Sequence, residues 1–161
     1  VETEIVLDDW KSLVPESWDV SSLNKEKQEN WIIGEKKIDD LRDTVSNAME
    51  LVRLTQNQAP VHRDAGTSPT GERLVYGGHT IGLAQASLNR MMPGNATILG
   101  WQSCDHLGPV HEGDVLSFQH TLLEQKTLPN GKISAIKTEV SSLKDAEASN
   151  VLDWRLVVFG V

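Results

Sequence analysis

The sequence predicts an α+β fold in which a strongly bent antiparallel sheet of about five strands wraps around one buried helix. Residues 78–92 form the longest apolar segment of the chain, and apolar side chains occupy nearly every side of the helix they predict. The C-terminal half alternates between apolar and polar residues, as strands with one buried face do. Because that apolar face needs a partner, we expect helix 78–92 to cover it.

Composition limits the classes of function. The 161 residues are enough for a domain with its own core, and a net charge of −8 argues against a nucleic-acid-binding surface. No apolar run approaches the roughly 20 residues of a membrane span, and the start of the sequence lacks a signal-peptide pattern. We therefore expect a soluble, cytoplasmic protein with no membrane partner. Cys104 is the single cysteine, and no Cys/His cluster has the spacing of a zinc site, so no metal is expected.

The first 30 residues are predicted to form a helical arm that packs on a domain spanning residues 31–161. Two short amphipathic pieces, at 8–14 and 24–31, predict one or two short helices in this arm. Trp10, Trp18 and Trp31 are interpreted as bulky side chains that dock the arm on the core.

A strand and a short helix are expected next. Residues 31–34 and 36–43 resemble a strand with charged side chains facing water. From Ser46, which can cap, apolar residues recur at helical spacing and predict a helix of about ten residues. This helix should stop before Pro60, and a loop carrying His62 and Asp64 follows.

The remaining strands are predicted at 97–101, 115–125, 132–142 and 151–161. Between the second and third of these, Pro129-Asn130-Gly131 contains the Asn-Gly pair that type I′ hairpin turns prefer. We therefore predict a hairpin at this position.

Three separated segments resemble a known family. They are APVHRD at 59–64, ERLVYGGHTIGLA at 72–84 and GPVHEGDVL at 108–116, and they resemble motifs of the MaoC-like (R)-specific enoyl-CoA hydratases and acyl dehydratases in the same order. The resemblance covers about residues 32–125. It implies a single hot-dog domain, in which the bent sheet wraps around the central helix, and a thioester of CoA or of an acyl-carrier protein as substrate, with no further cofactor.

The motifs match at most but not all functional positions. The matching residues are Pro60, His62 and Asp64 in the loop, Arg73, Val75 and Gly77 before the helix, and Pro109, Val110, Gly113 and Asp114 before the next strand. Asn57 stands where the family has its catalytic Asp, Ala59 where it has Asn, and Tyr76 where it has His. Some mesaconyl-CoA-type relatives are similar in having Asn at the first of these positions.

The resemblance implies roles in hydration of a 2-enoyl thioester. Because Asn57 cannot accept a proton but can orient a water molecule, His62 is expected to be the base, since imidazole changes charge near neutral pH. Gly77 and Gly78 have two interpretations: their backbone N–H groups hold the enolate-like oxygen, or the two glycines only allow tight packing where the helix enters the sheet. Asp64, Arg73 and Tyr76 are supporting residues, and Asp64 is expected to orient His62 or to pair with Arg63 or Arg73.

Other polar residues are interpreted as structural. The run Cys104-Asp105-His106 suggests a nucleophile and a base, but consecutive strand residues point to opposite faces. His111, His120 and the segment 144–147 are expected to be solvated surface. The candidates for contacts with CoA phosphates are Arg53, Arg63, Arg73 and Arg90, which the sequence does not rank.

Three functions stay open at this point. The first is an enoyl-CoA hydratase or 3-hydroxyacyl-thioester dehydratase of fatty acid metabolism. The second is a catalytically silent hot-dog subunit of a heteromeric hydratase, suggested by Asn57 and Ala59. The third is an acyl-CoA thioesterase, because VYGGHTIGLAQA also resembles the Gly-Gly-Gln helix start of type II thioesterases. In each case we expect a homodimer or heterodimer through the sheet edges.

Overall fold

The structure, a computed structural model, describes residues 4–23, 31–144 and 147–161. Its helices are α1 (Ala48–Leu54) and α2 (Gly77–Met91), with short 3₁₀ helices at Leu7–Leu13, Pro60–His62 and Ala65–Thr67. Its strands are β1 (Lys36–Ile38), β2 (Asp43–Thr44), β3 (Asn95–His106), β4 (Val115–Leu128), β5 (Gly131–Lys144) and β6 (Glu147–Gly160). No described helix is long and apolar enough to cross a membrane.

The predicted α+β class is confirmed, with six strands in place of about five. They form one antiparallel sheet in the order β1-β4-β5-β6-β3, and β2 also pairs with β4. The strand predicted over 31–34 and 36–43 is wrong in extent. Gly34 has a φ of 84° in a turn closed by a 2.9 Å hydrogen bond from Glu35 N–H to the Ile32 carbonyl, and residues 39–42 separate β1 from β2.

Both faces of the sheet are covered at its centre. On the face toward α2, the apolar side chains of β4, β5 and β6 pack with Ala84 and Leu88 of the helix. On the other face, alternate residues of β5 and β6 pack with Ile5, Leu7 and Val20 of the N-terminal arm. Strand β6 is therefore buried on both sides, which accounts for the nearly continuous apolar run at the end of the sequence.

The described part of the N-terminal arm forms a 3₁₀ helix, Leu7–Leu13, near the predicted piece at 8–14. The ring of Trp10 lies against Gly100, and the ring centroids of Trp18 and Phe159 are 5.6 Å apart. The second predicted piece, at 24–31, lies outside the described residues except for Trp31, so that prediction and the boundary at residue 30 stay predictions.

Helix α2 begins and ends one residue earlier than predicted. Its buried positions include Thr80, Ala84 and Ser87, whereas Gly82, Gln85 and Ala86 are exposed. The expectation of a helix enclosed on all sides is therefore wrong, because the sheet curves around one side only. The exposed side explains how a polar residue, Gln85, fits within an otherwise apolar segment.

The predicted hairpin between β4 and β5 is confirmed, but its turn type is wrong. Leu128 pairs with Gly131, so Pro129 and Asn130 occupy the centre of the turn, and a type I′ turn would need a positive φ that proline cannot adopt. Gly131 is needed for another reason. A Cβ there would lie 2.5 Å from the carbonyl oxygen of Gly160.

Helix α1 is shorter than predicted, with seven residues in place of about ten. Its N-cap is Asn47, with a left-handed φ of 53°, and not Ser46. The helix ends at Leu54, so residues 55–59 are left to form the approach to the His62 loop.

Candidate active site

A cavity of about 430 Å³ lies where the His62 loop, the start of α2 and the segment after β3 meet. Its walls come from His62, from Leu74, Val75, Gly77 and Thr80, and from residues 106–110. All three sequence motifs contribute to this lining, so segments that are far apart in the sequence surround one space.

Backbone hydrogen bonds hold these segments side by side. The N–H of Leu74 donates to the Val61 carbonyl at 3.1 Å, and the N–H of Val75 donates to the Val110 carbonyl at 2.8 Å. Leu74 also forms an isolated antiparallel bridge with His111. The segment before α2 is thus the central element that fixes the His62 loop relative to the helix start.

The hydrogen-bond partner of His62 determines which nitrogen of its imidazole carries the hydrogen. Its Nδ1 lies 2.9 Å from the carbonyl oxygen of Leu74, and a carbonyl oxygen can only accept a hydrogen bond. Nδ1 therefore carries a hydrogen, and Nε2 holds the lone pair when the ring is neutral. The Tyr76 ring packs beside it, with 5.8 Å between ring centroids, and restricts its orientation.

The first two residues of α2 are glycines, Gly77 and Gly78, and Gly77 lines the same cavity as His62. The first N–H groups of a helix have no acceptor within the helix, so they are available to a ligand with partial negative charge. A Cβ on Gly77 would lie 2.6 Å from Nε2 of His106, and a Cβ on Gly78 would lie 2.5 Å from the Tyr76 ring. Glycine at both positions therefore lets two rings approach the helix start.

Asn57 helps to shape the turn that leads to His62. Its Oδ1 accepts a 2.8 Å hydrogen bond from the N–H of Ala59, and its backbone carbonyl accepts one of 2.8 Å from Nε of Arg63. The carboxamide oxygen is thus engaged in a local turn. The Nδ2 amide is the part of this side chain that can bind a water molecule.

The expected supporting carboxylate has a different contact. Asp64 Oδ1 accepts a 2.8 Å hydrogen bond from the N–H of Gly66 and caps the 3₁₀ helix Ala65–Thr67. Arg73 forms an ion pair with Glu112. In this structure Asp64 shapes the loop, and neither the predicted orientation of His62 by Asp64 nor its pairing with Arg63 or Arg73 is seen.

His106, which the sequence analysis interpreted as structural, lines the cavity together with His62. Alternation along a strand correctly separates His106 from Asp105 but does not say which element the imidazole contacts. Strand β3 extends to His106, whereas the prediction ended at Trp101. That longer strand brings His106 to the start of α2.

His120 is not solvated surface, as predicted, but fully buried. Its Nδ1 is 2.9 Å from Oγ1 of Thr138, and its Nε2 is 2.9 Å from Oγ of Ser87, whose hydroxyl donates at 2.6 Å to Asp39. Because the Ser87 hydrogen goes to the carboxylate, Nε2 of His120 donates to Ser87 and Nδ1 accepts from Thr138. Burial lowers the pKa of His120 to about 4, so this imidazole is neutral at physiological pH.

The other residues that were predicted to be solvated surface, His111 and the segment 144–147, differ in their exposure. His111 is partly buried, with Nδ1 3.7 Å from a carboxylate oxygen of Glu72. Glu147 is exposed, whereas residues 145 and 146 lie outside the described part of the chain.

Three of the four candidate phosphate contacts are already paired with carboxylates. Arg53 binds Glu50, Arg73 binds Glu112, and Arg90 binds Asp39 at 2.7 Å. Arg63 follows His62 directly, is exposed, and has the backbone carbonyl of Asn57 as its partner. Within the described residues, Arg63 is thus the candidate whose charge is not offset by an acidic side chain.

Comparison with known proteins adds relatives and a fold. No family model matches the chain. It is 29% identical over 117 residues to a mesaconyl-CoA hydratase of Cereibacter sphaeroides, a match that covers 71% of this chain and 34% of that protein. The chain therefore spans about a third of the length of this curated relative.

Solved structures share the fold. A conserved protein of Mycobacterium tuberculosis with a double hot-dog fold has a TM-score of 0.76 and 37% identity, over 96% of this chain and 44% of that one. A MaoC-domain dehydratase protein of Chloroflexus aurantiacus has a TM-score of 0.73 and 23% identity, over 81% of this chain and 43% of that one. The predicted hot-dog fold is confirmed, and so is the predicted resemblance to the MaoC-like hydratases and dehydratases.

Proposed function

We propose that this chain is a hydro-lyase that adds or removes water across the 2,3 bond of an acyl thioester of CoA or of an acyl-carrier protein. The observation that supports this most strongly is His62. The Leu74 carbonyl binds its Nδ1–H and leaves Nε2 to take a proton, and the ring shares a cavity with the N-terminus of α2.

Hydration of a 2-enoyl thioester needs three groups. A base takes a proton from water as oxygen bonds to C3, an acid gives a proton to C2, and hydrogen-bond donors hold the oxygen of the enolate-like intermediate. We assign the base to Nε2 of His62 and the donors to the N–H groups of Gly77 and Gly78. Asn57 orients the water through its Nδ2 amide, and no further cofactor is needed.

The name of a relative and the charge of one residue support the proposed substrate class. The curated relative is by name a hydratase of a CoA thioester. Arg63 follows His62 in the sequence, and its guanidinium binds the Asn57 carbonyl with no acidic side chain among the described residues to offset its charge. An arginine there is suited to a phosphate of CoA or of a carrier-protein prosthetic group. We propose that the thioester enters with its phosphates near Arg63 and its reactive carbons between His62 and Gly77.

The test is turnover of a panel of 2-enoyl-CoA thioesters, followed by loss of the enoyl thioester absorbance. We expect hydration by the unchanged chain and a fall in kcat of about 10²–10⁴-fold in His62→Ala, which removes the general base. His111→Gln is a matched control, because it changes a histidine outside the cavity lining and should keep most of the activity. Equal rates for His62→Ala and the unchanged chain would contradict the assignment.

A second function is favoured by Asn57, whose carboxamide oxygen is engaged in a turn where the family has a carboxylate. The chain would then be a silent hot-dog unit that completes the groove of a catalytic partner. The match covers 34% of the mesaconyl-CoA hydratase, so that relative has room for a second unit, which supports this alternative. Activity of the chain as a homo-oligomer would exclude this function.

A further inference from the structure

His106 occupies a position that its sequence pattern did not predict. It is the last residue of β3, and its imidazole lies against the first residue of α2. Its Nε2 and Cε1 atoms are 2.6 Å and 2.7 Å from the point where a Cβ of Gly77 would be, so any other residue at position 77 would displace the ring. The Nε2 edge of His106 therefore faces the helix start to which we assign the thioester oxygen.

The cavity contains few groups that can move a proton. Among the described residues that line it, His62 and His106 are the only titratable side chains. The remaining lining is apolar except for Gly77, Gly108 and the hydroxyl of Thr80. The nearby charged pair, Arg73 with Glu112, lies outside this lining.

We propose that His106 is the second acid–base residue of this site and exchanges the proton at C2 of the thioester. The proposal rests on the hydro-lyase function proposed above. In it, His106 supplies the proton-transfer capacity that Asn57 cannot, because an amide neither accepts nor releases a proton near neutral pH.

Two imidazoles account for both proton transfers of the hydration. In hydration, neutral His62 takes a proton from water through Nε2 while the hydroxide oxygen bonds to C3, and the electron pair of the C2–C3 double bond moves toward the thioester. Protonated His106 then gives its proton to C2 through Nε2. A proton passes through solvent from His62 to His106, which is exposed, and restores the starting state. Dehydration runs through the same steps in reverse.

The test is the dependence of kcat/KM on pH for hydration by the unchanged chain, His106→Gln and Asp105→Asn. The unchanged chain should give a bell-shaped profile, since His62 must be neutral and His106 protonated. We expect His106→Gln to lose about 10²–10³-fold in kcat/KM and the alkaline limb of the profile. Asp105→Asn alters the adjacent exposed carboxylate on the opposite strand face and should behave like the unchanged chain. His106→Gln with an unchanged rate and profile would overturn the proposal.

Two further measurements separate a catalytic role from a structural one. Added imidazole should restore part of the activity of His106→Ala, and a lack of rescue together with a retained alkaline limb would count against the proposal. If no 2-enoyl thioester is turned over, NMR of ¹⁵N-labelled histidine during titration with saturated butanoyl-CoA replaces the kinetic test. Movement of both the His62 and His106 signals supports the proposal, and movement of the His62 signal alone overturns it. If neither signal moves, the cavity does not bind the thioester, and the proposed function fails as well.

Discussion

The same imidazole group has different chemistry at positions 62 and 120. His62 lies beside a cavity and has one nitrogen engaged by a backbone carbonyl. His120 lies in the core, where Thr138 and Ser87 satisfy both nitrogens in the neutral form and no water can stabilise a charge. Burial therefore favours the neutral form of the His120 imidazole in the folded protein, where this side chain has a structural role.

This burial predicts that the protein loses stability in mild acid. The pKa of His120 falls from 6.5 to about 4 on folding, so the unfolded chain binds the proton more tightly, and this contribution is present above pH 6.5 and lost as the pH falls toward 4. His79, whose pKa burial also lowers, acts in the same direction. We expect the free energy of unfolding, measured with urea, to be lower at pH 5 than at pH 7 by about 2 kcal/mol.

The exposed His106 provides a matched control for this prediction. His106→Gln should keep the same difference in the free energy of unfolding between pH 7 and pH 5. An NMR titration that finds His120 protonated near pH 6.5 in the folded protein would contradict the account.

Part of the site could be predicted from the sequence, because the motifs around His62 and Gly77 resemble those of a known family. Both residues line the cavity. The contacts of His106 and His120 could not be predicted, because strand alternation gives the face of a side chain but not the element that covers it. Asp64 was expected to orient the His62 imidazole or to pair with Arg63 or Arg73, but its Oδ1 accepts a hydrogen bond from the N–H of Gly66, as in many turns that contain Asp.

Two glycines of helix α2 differ in the space that surrounds a Cβ at their positions. Gly77 is at its first position, where a Cβ would contact the His106 imidazole at 2.6 Å. Gly82 is in the helix interior and exposed, and a Cβ there would meet no atom within 4 Å. The close approach of the His106 ring thus requires glycine at position 77, whereas glycine at position 82 weakens the helix.

We predict that alanine at position 77 lowers activity, whereas alanine at position 82 raises stability. Gly77→Ala should lower hydration activity by about 10–100-fold, because it displaces His106. The free energy of unfolding should stay unchanged, since the exposed ring can move aside. Gly82→Ala should raise the free energy of unfolding by about 0.5–1 kcal/mol and leave activity unchanged. Thermal unfolding and turnover of the two variants check this. Full activity in Gly77→Ala would show that the close approach of His106 has no function.

The predictability of the elements follows from how local their signals are. Helix α2 and the β4–β5 hairpin were located within one or two residues, since a long apolar run and a Pro-Asn-Gly turn are local patterns. The break between β1 and β2 was not predicted. It depends on Asp39, whose buried carboxylate accepts hydrogen bonds from Ser87 and Arg90. Both partners lie about fifty positions later in the chain, so the contact is not a local pattern.

Among the strands that the structure describes, β3 forms one edge of the sheet. It pairs with β6 on one side, and Trp101 on this strand is 51% exposed. A long unpaired edge with an exposed aromatic residue favours pairing with another strand. The related M. tuberculosis protein, of which this chain covers 44%, has a double hot-dog fold.

We predict that this chain self-associates through the edge of β3. Sedimentation should show a dimer, and Trp101→Lys should shift it to a monomer, since a charge at this edge opposes pairing. Ile38→Lys is the matched control, because Ile38 is 64% exposed on β1 at the opposite edge, and this variant should stay dimeric. A dimer that is insensitive to Trp101→Lys would place the interface elsewhere.

Hydration by this chain is tested by mass spectrometry of the acyl-CoA product after incubation of a 2-enoyl-CoA panel with the purified chain. We expect a product heavier by one water molecule, formed by the unchanged chain and about 10²–10⁴-fold more slowly by His62→Ala. Release of free CoA thiol would instead indicate a thioesterase, and an unchanged thioester in every reaction would contradict a catalytic role for this chain.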